Sequence, residues 1–266
     1  MNKHMVSIVS TVFNGSKYVD NIVASIISQT HTDFEWIVVD DGSTDDTVEK
    51  LLKYSENEPR IKVLQPGKLG RTKALNYAIE SSGYELIFQQ DFDDISYPDR
   101  IERQLLEFQD EKIGLVGSNY YLVNLIRGER FARNNAVRHS KILYEMSKCV
   151  PICHTLAAFR KSAWKDVNGY DENFNDIIDL RFYIAVASQG WLLTNTQEIL
   201  GEHYVYADSN YIKANKYSVR QKNLRALNLL AIKTFNLPTH CYLYVLGRTI
   251  YYKLPNKVKS LLRKVL

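Results

Sequence analysis

Beyond Asp208 the chain has no acidic residue. Residues 209–266 hold 12 Lys and Arg and no Asp or Glu, whereas residues 1–208 hold the other 22 against all 30 acids. The net charge of +4 therefore divides into a body of −8 and an end of +12. Such a split predicts an acidic body with a basic extension suited to an anionic surface. Cysteine is also scarce. Cys149, Cys153 and Cys241 are odd in number and form no C-x-x-C pair, which argues against a disulfide framework or a zinc knuckle and favours a reducing compartment. No basic-then-apolar leader opens the sequence, and no apolar run approaches the roughly 18 residues that cross a bilayer. The expectation is a cytoplasmic chain, at most peripheral at the inner face of the cell membrane. Neither G-x-x-x-x-G-K-[ST] nor G-x-G-x-x-G occurs after the first strand, so triphosphate hydrolysis and hydride transfer lose support. No nucleic-acid reader motif accompanies the basic charge, and no nucleic-acid partner is expected.

What is present is an alternation of strand and helix. Val6 to Val12 is apolar and largely β-branched, and it ends at the turn pair Asn14-Gly15. Residues 18–29 carry Ile22, Val23, Ile26 and Ile27 at helical spacing, and Phe34 to Val39 is a second strand. A helix through Val48, Leu51 and Leu52 follows, with Ser43 or Thr44 as its expected cap. Residues 61–64, 72–82 and 84–88 then read as strand, helix and strand. Near-continuous apolar strands in this order predict an α/β fold with a mostly parallel sheet flanked by helices. Ligands of such sheets bind beyond the carboxyl ends of the strands, and three polar clusters fall at those ends: residues 11–14, 40–43 and 91–94. Residues 101–108 read as a further helix, 114–126 as an apolar run, 156–159 as a strand and 179–188 as a helix. Residues 127–149 have no clear pattern, and helical spacing dominates from Tyr217 onward.

Each cluster admits a chemical and a plain reading. Asp91, Asp93 and Asp94 supply the hard oxygen donors that Mg2+ or Mn2+ prefers beside substrate phosphates, or they form a solvated turn before Pro98. Asp40 or Asp41 can hydrogen-bond a nucleobase or ribose, or cap the next helix. Arg71 and Lys73 are candidates for a diphosphate, or solvated helix charges.

Taken together, Val6-Ser-Ile-Val-Ser-Thr-Val-Phe-Asn14, Ser28-Gln-Thr30, Asp33-Phe-Glu-Trp-Ile-Val-Val-Asp-Asp-Gly-Ser43, Lys73-Ala-Leu-Asn76, and Asp91-Phe-Asp-Asp94 with Pro98-Asp-Arg100 resemble family 2 glycosyltransferases. The likeness continues more loosely through residues 154–161 and 169–174. It implies a Rossmann-like GT-A fold and an inverting transfer of a sugar, UDP-hexose favoured, from a nucleotide-diphosphate sugar. The acceptor implied is a glycan or lipid-linked glycan of cell-surface polysaccharide. By position, Thr11, Asn14, Asp41, Arg71, Lys73, Asp91 and Asp93 would bind the donor. Asp91, Asp93 and Asp94 would hold Mn2+ or Mg2+, with His203 a late histidine that either reaches the metal or is a satisfied, partly buried ring. His154 is assigned no proton-transfer role. The expected division is a catalytic domain over 1–208, with a donor half to about 110 and an acceptor half after it, and a helical basic extension over 209–266.

One position departs from the family pattern. The family places a Glu-Asp pair just before an Asp-Leu, the Asp of the pair being the base, but this chain reads Asp176-Ile-Ile-Asp-Leu180. Ile177 therefore stands where the base belongs. Asp176 is the first candidate base and Asp179 the second, and both are also read as helix-start carboxylates. The departure keeps open a non-catalytic, nucleotide-sugar-binding subunit. A sugar nucleotidyltransferase is the other enzyme reading, although the glycine-rich triphosphate loop it needs after strand one is missing. Residues 257–266 place Val258, Leu261, Leu262 and Val265 on one helical face, and residues 240–266 read as an in-plane helix on an anionic membrane or as a packed appendage with a solvated basic face.

Overall fold

The computed structural model describes residues 4–174, 176–206 and 217–254. The expected alternation forms: β1 (Val6–Val12), α1 (Val19–Ile27), β2 (Phe34–Asp40), α2 (Thr47–Asn57), β3 (Ile61–Leu64), α3 (Arg71–Glu80) and β4 (Leu86–Gln89). These four strands are mutually parallel in the order β3-β2-β1-β4. The chain moves outward from β1 to β3, and α3 carries it back across to β4. That reversal opens a crevice at the carboxyl end of β1.

The remaining strands extend the sheet. They are β5 (Ile95–Ser96), β6 (Ile113–Asn124), β7 (Glu129–Arg133), β8 (Ala158–Arg160) and β9 (Leu192–Val205), with α4 (Arg100–Glu107) after β5. The path runs on from β4 through β8, β6 and β9 to β5, and β7 pairs with β6. β8 is antiparallel to both its neighbours, whereas β6 and β9 are parallel, so β9 ends on the same side as β1 and β4. The patternless region after residue 127 contains β7 and α5 (His139–Glu145), and α6 (Lys161–Asp166) and α7 (Ile178–Ser188) follow. Two further helices, α8 (Tyr217–Thr234) and α9 (His240–Lys253), complete the described chain.

Strand residues alternate between two cores. Ile8, Val12, Trp36, Val38 and Phe88 pack against α1, α2 and α4, while Val9, Ile37, Val39 and Ile87 pack against α3, α5, α6 and α7. Both faces of the sheet are covered, which accounts for the continuous apolar runs. Leu224, Leu227 and Ala231 of α8 join the second core, and Cys241 and Val245 seat α9 on Ile232. The amphipathic stretch 257–266 lies outside the described residues. One expectation needs correction: Asp46 precedes α2, and neither Ser43 nor Thr44 caps it. Both are committed to Asn14, as described next.

Candidate functional site

Three strand ends converge on the crevice. After β1, which brings the half-buried Thr11 to its rim, Asn14 adopts a left-handed conformation at φ 51°, which asparagine tolerates. Its amide donates to Ser43 Oγ at 2.8 Å, its Oδ1 accepts from the Thr44 amide at 2.8 Å, and Gly15 N–H donates to Thr47 Oγ1. The loop after β1 is thus stitched to the loop after β2. Asn14 is a positioning residue here, whatever else it touches.

At the end of β2 both carboxylates are buried. Asp40 Oδ2 accepts from the Gly42 and Ser43 amides, and its Oδ1 is buried without a hydrogen-bond partner among the described residues. Asp41 Oδ1 accepts from the amides of Leu69 and Gly70 at 2.6 and 2.8 Å, and Lys68 Nζ lies 2.9 Å from Oδ2. Lys68 also sits 3.4 Å from the centre of the exposed Phe13 ring. Asp41 therefore organises the turn that launches α3, at whose first position Arg71 projects toward Asp91. Lys73, two residues on, is exposed, and no described contact ties it to the crevice.

The aspartates after β4 have three different fates. Asp91 faces His154 Nδ1 at 3.2 Å and Arg71 Nη2 at 3.5 Å, and Gln89 Nε2 donates to it. Burial would raise its pKa, but His154, Arg71 and the more distant His203 outweigh burial and hold the carboxyl well below its ordinary range. Asp94 is buried, its Oδ1 accepting from the Tyr204 amide at 2.7 Å and its Oδ2 facing His203 Nδ1 at 2.9 Å. Asp93 receives no hydrogen bond from any described side chain. Burial, then repulsion from Asp94 and Asp91, push its pKa up to about 7. A carboxylate so placed suits a cation.

His203 completes the cluster from β9. Burial opposes its charge, but Asp94, Asp91 and Asp93 overcome that and push its pKa up to about 9. Its Nδ1 is fixed by Asp94, the arrangement that orients a histidine's other nitrogen toward a metal. β9 comes this close because residue 201 is glycine: a Cβ there would collide with the Ile95 carbonyl oxygen of β5. Among the described residues no three His, Cys, Asp or Glu side chains are already gathered in metal-binding geometry. Hard oxygen donors from one or two carboxylates, completed by substrate phosphates, need no such cage.

The two base candidates separate clearly. Asp176 is 5% exposed, accepts from Asn223 Nδ2 of α8 at 3.1 Å and pairs with Arg220 at 3.6 Å. The first-ranked candidate is thus turned into the seam between α7 and α8. Asp179 sits half-buried in the first turn of α7, its Oδ1 accepting from the Leu180 amide. Burial, then the charges of Asp179 and Asp91, push the Tyr170 phenol well above its ordinary value, which puts both carboxylates on one neighbourhood. Between Asp176 and Asp179, Ile177 is left-handed at φ 54° and ψ 40°. For a β-branched residue that is a strained conformation, costing about 1–3 kcal/mol. Asparagine and aspartate tolerate it far better.

Several residues of the family-like motifs, given no role from sequence, contribute to the site. His154, besides facing Asp91, lies 3.4 Å from the Tyr170 hydroxyl. Asn76 holds the loop before α7, donating to the Tyr170 carbonyl and accepting its amide. Arg100 is buried beneath the aspartates, donating to Gln90 Oε1, Ser96 Oγ, Gln104 Oε1 and the carbonyls of Gln89 and Ala157. A basic residue after Pro98-Asp99 was the visible signal for it.

Comparison with known proteins agrees with this geometry. The model of the family described as Glycosyl transferase family 2 matches residues 7–167. The chain belongs to glycosyl transferase family 2. Among the family's relatives, it is 30% identical to the O-antigen biosynthesis glycosyltransferase WbnJ of Escherichia coli, over 82% of this chain and 88% of that one. It is 28% identical to the chondroitin synthase of Escherichia coli over 86% of its own length, but that match spans only 34% of the synthase. The fold is similar to that of S. aureus TarS 1-349 in complex with UDP-GlcNAc, with a TM-score of 0.68 at 18% identity, covering 86% of this chain and 66% of that one. It is also similar to the mannosyltransferase PcManGT from Pyrobaculum calidifontis in complex with GDP-Man and Mn2+, with a TM-score of 0.63 at 15% identity, over 98% and 79% of the two chains. These likenesses show a GT-A fold.

Proposed function

We propose that this family 2 glycosyltransferase moves a sugar, a hexose from UDP favoured, onto a glycan or lipid-linked glycan of a cell-surface polysaccharide, with inversion at the anomeric carbon. The observation that carries the reading is the Asp93 carboxylate, with no donor among the described side chains, in the crevice where the ends of β1, β2 and β4 meet. The names of the relatives, one acting in O-antigen biosynthesis, support the acceptor class. The solved neighbours bound to UDP-GlcNAc and to GDP-Man support a nucleotide-sugar donor.

In this reading Thr11, Asp40 and Asp41 line the nucleoside end, and Arg71, at the amino end of α3, faces the diphosphate with the helix dipole behind it. Asp93 would be the principal ligand for Mg2+ or Mn2+, with Asp91 and His203 available beside it and Asp94 orienting His203. A divalent metal supplies charge stabilisation for the departing nucleoside diphosphate. Asp179 takes the proton of the acceptor hydroxyl, whose oxygen attacks the anomeric carbon from the face opposite the leaving group. Burial of Asp176 against Asn223 and Arg220 of α8 favours Asp179 over it for that role. The stitched loop after β1 leaves the nucleotidyltransferase reading without a triphosphate cradle.

Ile177 at the family's base position favours one other reading, a subunit that binds nucleotide sugar without turning it over. Thermal stabilisation by UDP, GDP and their sugars, with and without Mn2+ or Mg2+, separates the two when combined with donor turnover. A metal-dependent shift with turnover supports the transferase, and a shift without turnover for any donor and acceptor supports the subunit. Absence of any metal-dependent nucleotide effect overturns the donor site.

A further inference from the structure

Away from the crevice, α9 carries a face that nothing described covers. Its inner residues Cys241 and Val245 are buried on α8, while Leu243, Leu246 and Ile250, at helical spacing on the opposite side, are 68%, 53% and 54% exposed. Tyr242 and Tyr244 flank this ridge and are also exposed. Three large aliphatic side chains in one exposed row on one helix mark an interaction surface rather than ordinary scatter.

The side of the ridge facing α5 is basic. Lys148 Nζ lies 4.1 Å from the centre of the Tyr144 ring and 5.8 Å from that of Tyr244, so it bridges the two helices. Tyr144 in turn lines an open cavity of about 670 Å³ with Val137, Arg138, Ser140 and Lys141. Arg248 donates to the Lys148 carbonyl and anchors α9 alongside. The nearby acid, Glu145, is paired with both Lys141 and Lys148. An aliphatic ridge edged by tyrosines and cations is the composition of a helix lying in the headgroup layer of a bilayer.

We propose that α9 and α5 form a docking face for an anionic membrane, with Leu243, Leu246 and Ile250 entering the acyl boundary and Arg138 and Lys141 meeting lipid phosphates. A second copy of the chain is a poorer occupant, because a symmetric contact across this face would set cations against cations. Beyond Asp208 the sequence adds only positive charge, which reinforces the same attraction. The face is separate from the donor crevice, so its loss would leave the transferase reading standing.

Flotation of the full chain with phosphatidylglycerol-containing and pure phosphatidylcholine vesicles tests the assignment. The protein is expected to bind the anionic vesicles at least about tenfold more tightly and to be released by added salt. Leu243→Ser with Leu246→Ser and Ile250→Ser is expected to weaken that binding by about a hundredfold. Arg138→Gln with Lys141→Gln is expected to weaken it by about tenfold. All these side chains face solvent, so thermal midpoints and nucleotide-induced stabilisation should stay unchanged. Equal binding to both vesicle types, no binding, or triple-variant binding equal to that of the parent overturns the proposal. Concentration-dependent dimers that the triple variant abolishes, without vesicle binding, assign the face to a second copy instead.

Discussion

Asp176 of α7's approach and Arg220 of α8 face each other at 3.6 Å, with Asn223 donating to the same carboxylate. A carboxylate used this way ties the C-terminal helices to the body. Asp176→Ala is therefore expected to cost about 1–3 kcal/mol in denaturant titrations while leaving turnover per folded molecule unchanged. Asp179→Asn keeps an acceptor for the Leu180 amide, so stability should hold while turnover falls by about 10²–10⁴. Loss of turnover in the first variant and not the second would reverse the assignment.

Asp93 and Asp94 are adjacent but should respond oppositely. Asp93→Ala removes a group that no described side chain supports, so the thermal midpoint should not fall, while metal-dependent stabilisation by nucleoside diphosphates disappears. Asp94→Ala leaves the Tyr204 amide and the His203 ring without their acceptor, and should lower stability by about 1–3 kcal/mol before any ligand is added. Calorimetry with and without Mn2+ reads both effects.

Arg100 satisfies five acceptors at once from a buried position. Arg100→Met should cost about 2–4 kcal/mol, because five buried acceptors lose a donor and only some, such as Gln90 Oε1 (from Ser96 Oγ) and the Ala157 carbonyl (from the Gln89 amide), keep another. Arg100→Lys should recover only part of this, since an ammonium cannot reproduce the planar fork. Equilibrium unfolding of the two variants provides the check.

The Glu35–Lys62 pair predicts a pH window. Glu35 is buried, which alone would raise its pKa, but Lys62, the Ser7 hydroxyl and the Gly83 amide outweigh burial and lower it. A lowered carboxyl contributes stability above its unfolded pKa and loses it as pH falls through the folded one. The stability gap between the parent and Lys62→Met should be full near neutrality and shrink below about pH 4. Lys62, raised by the same contact, closes the window above about pH 10. Thermal midpoints measured across that range trace the curve.

The donor half was readable because its strands are buried on both faces and its polar clusters fall at strand ends, so local pattern and position agree. β9 was missed: Leu192-Leu-Thr-Asn-Thr-Gln-Glu-Ile-Leu-Gly-Glu-His-Tyr-Val205 has no clean alternation, and its two register shifts after Gly117 of β6 follow packing that local pattern does not record. The roles of Asp94 and His154 were hidden for a related reason. Their partners lie 109 and 63 residues away in sequence, and only the assembled sheet shows that one aspartate of the three has no donor among the described side chains while two are committed. Asp176 ranked first by motif alignment because burial beneath α8 leaves no trace in its own neighbourhood.

The parallel pairing of β9 with β6 also bears on the order in which the molecule is built. Asp94 leaves the ribosome early, but His203 and the Tyr204 amide follow 109 and 110 residues later. Closing so long a loop is slow, and until it closes Asp94 is a carboxylate with neither partner. The donor-side strands can therefore gather before the cluster that needs His203 exists. Competence at this crevice therefore waits for β9, and a chain stopped short of it would hold the aspartates without the histidine.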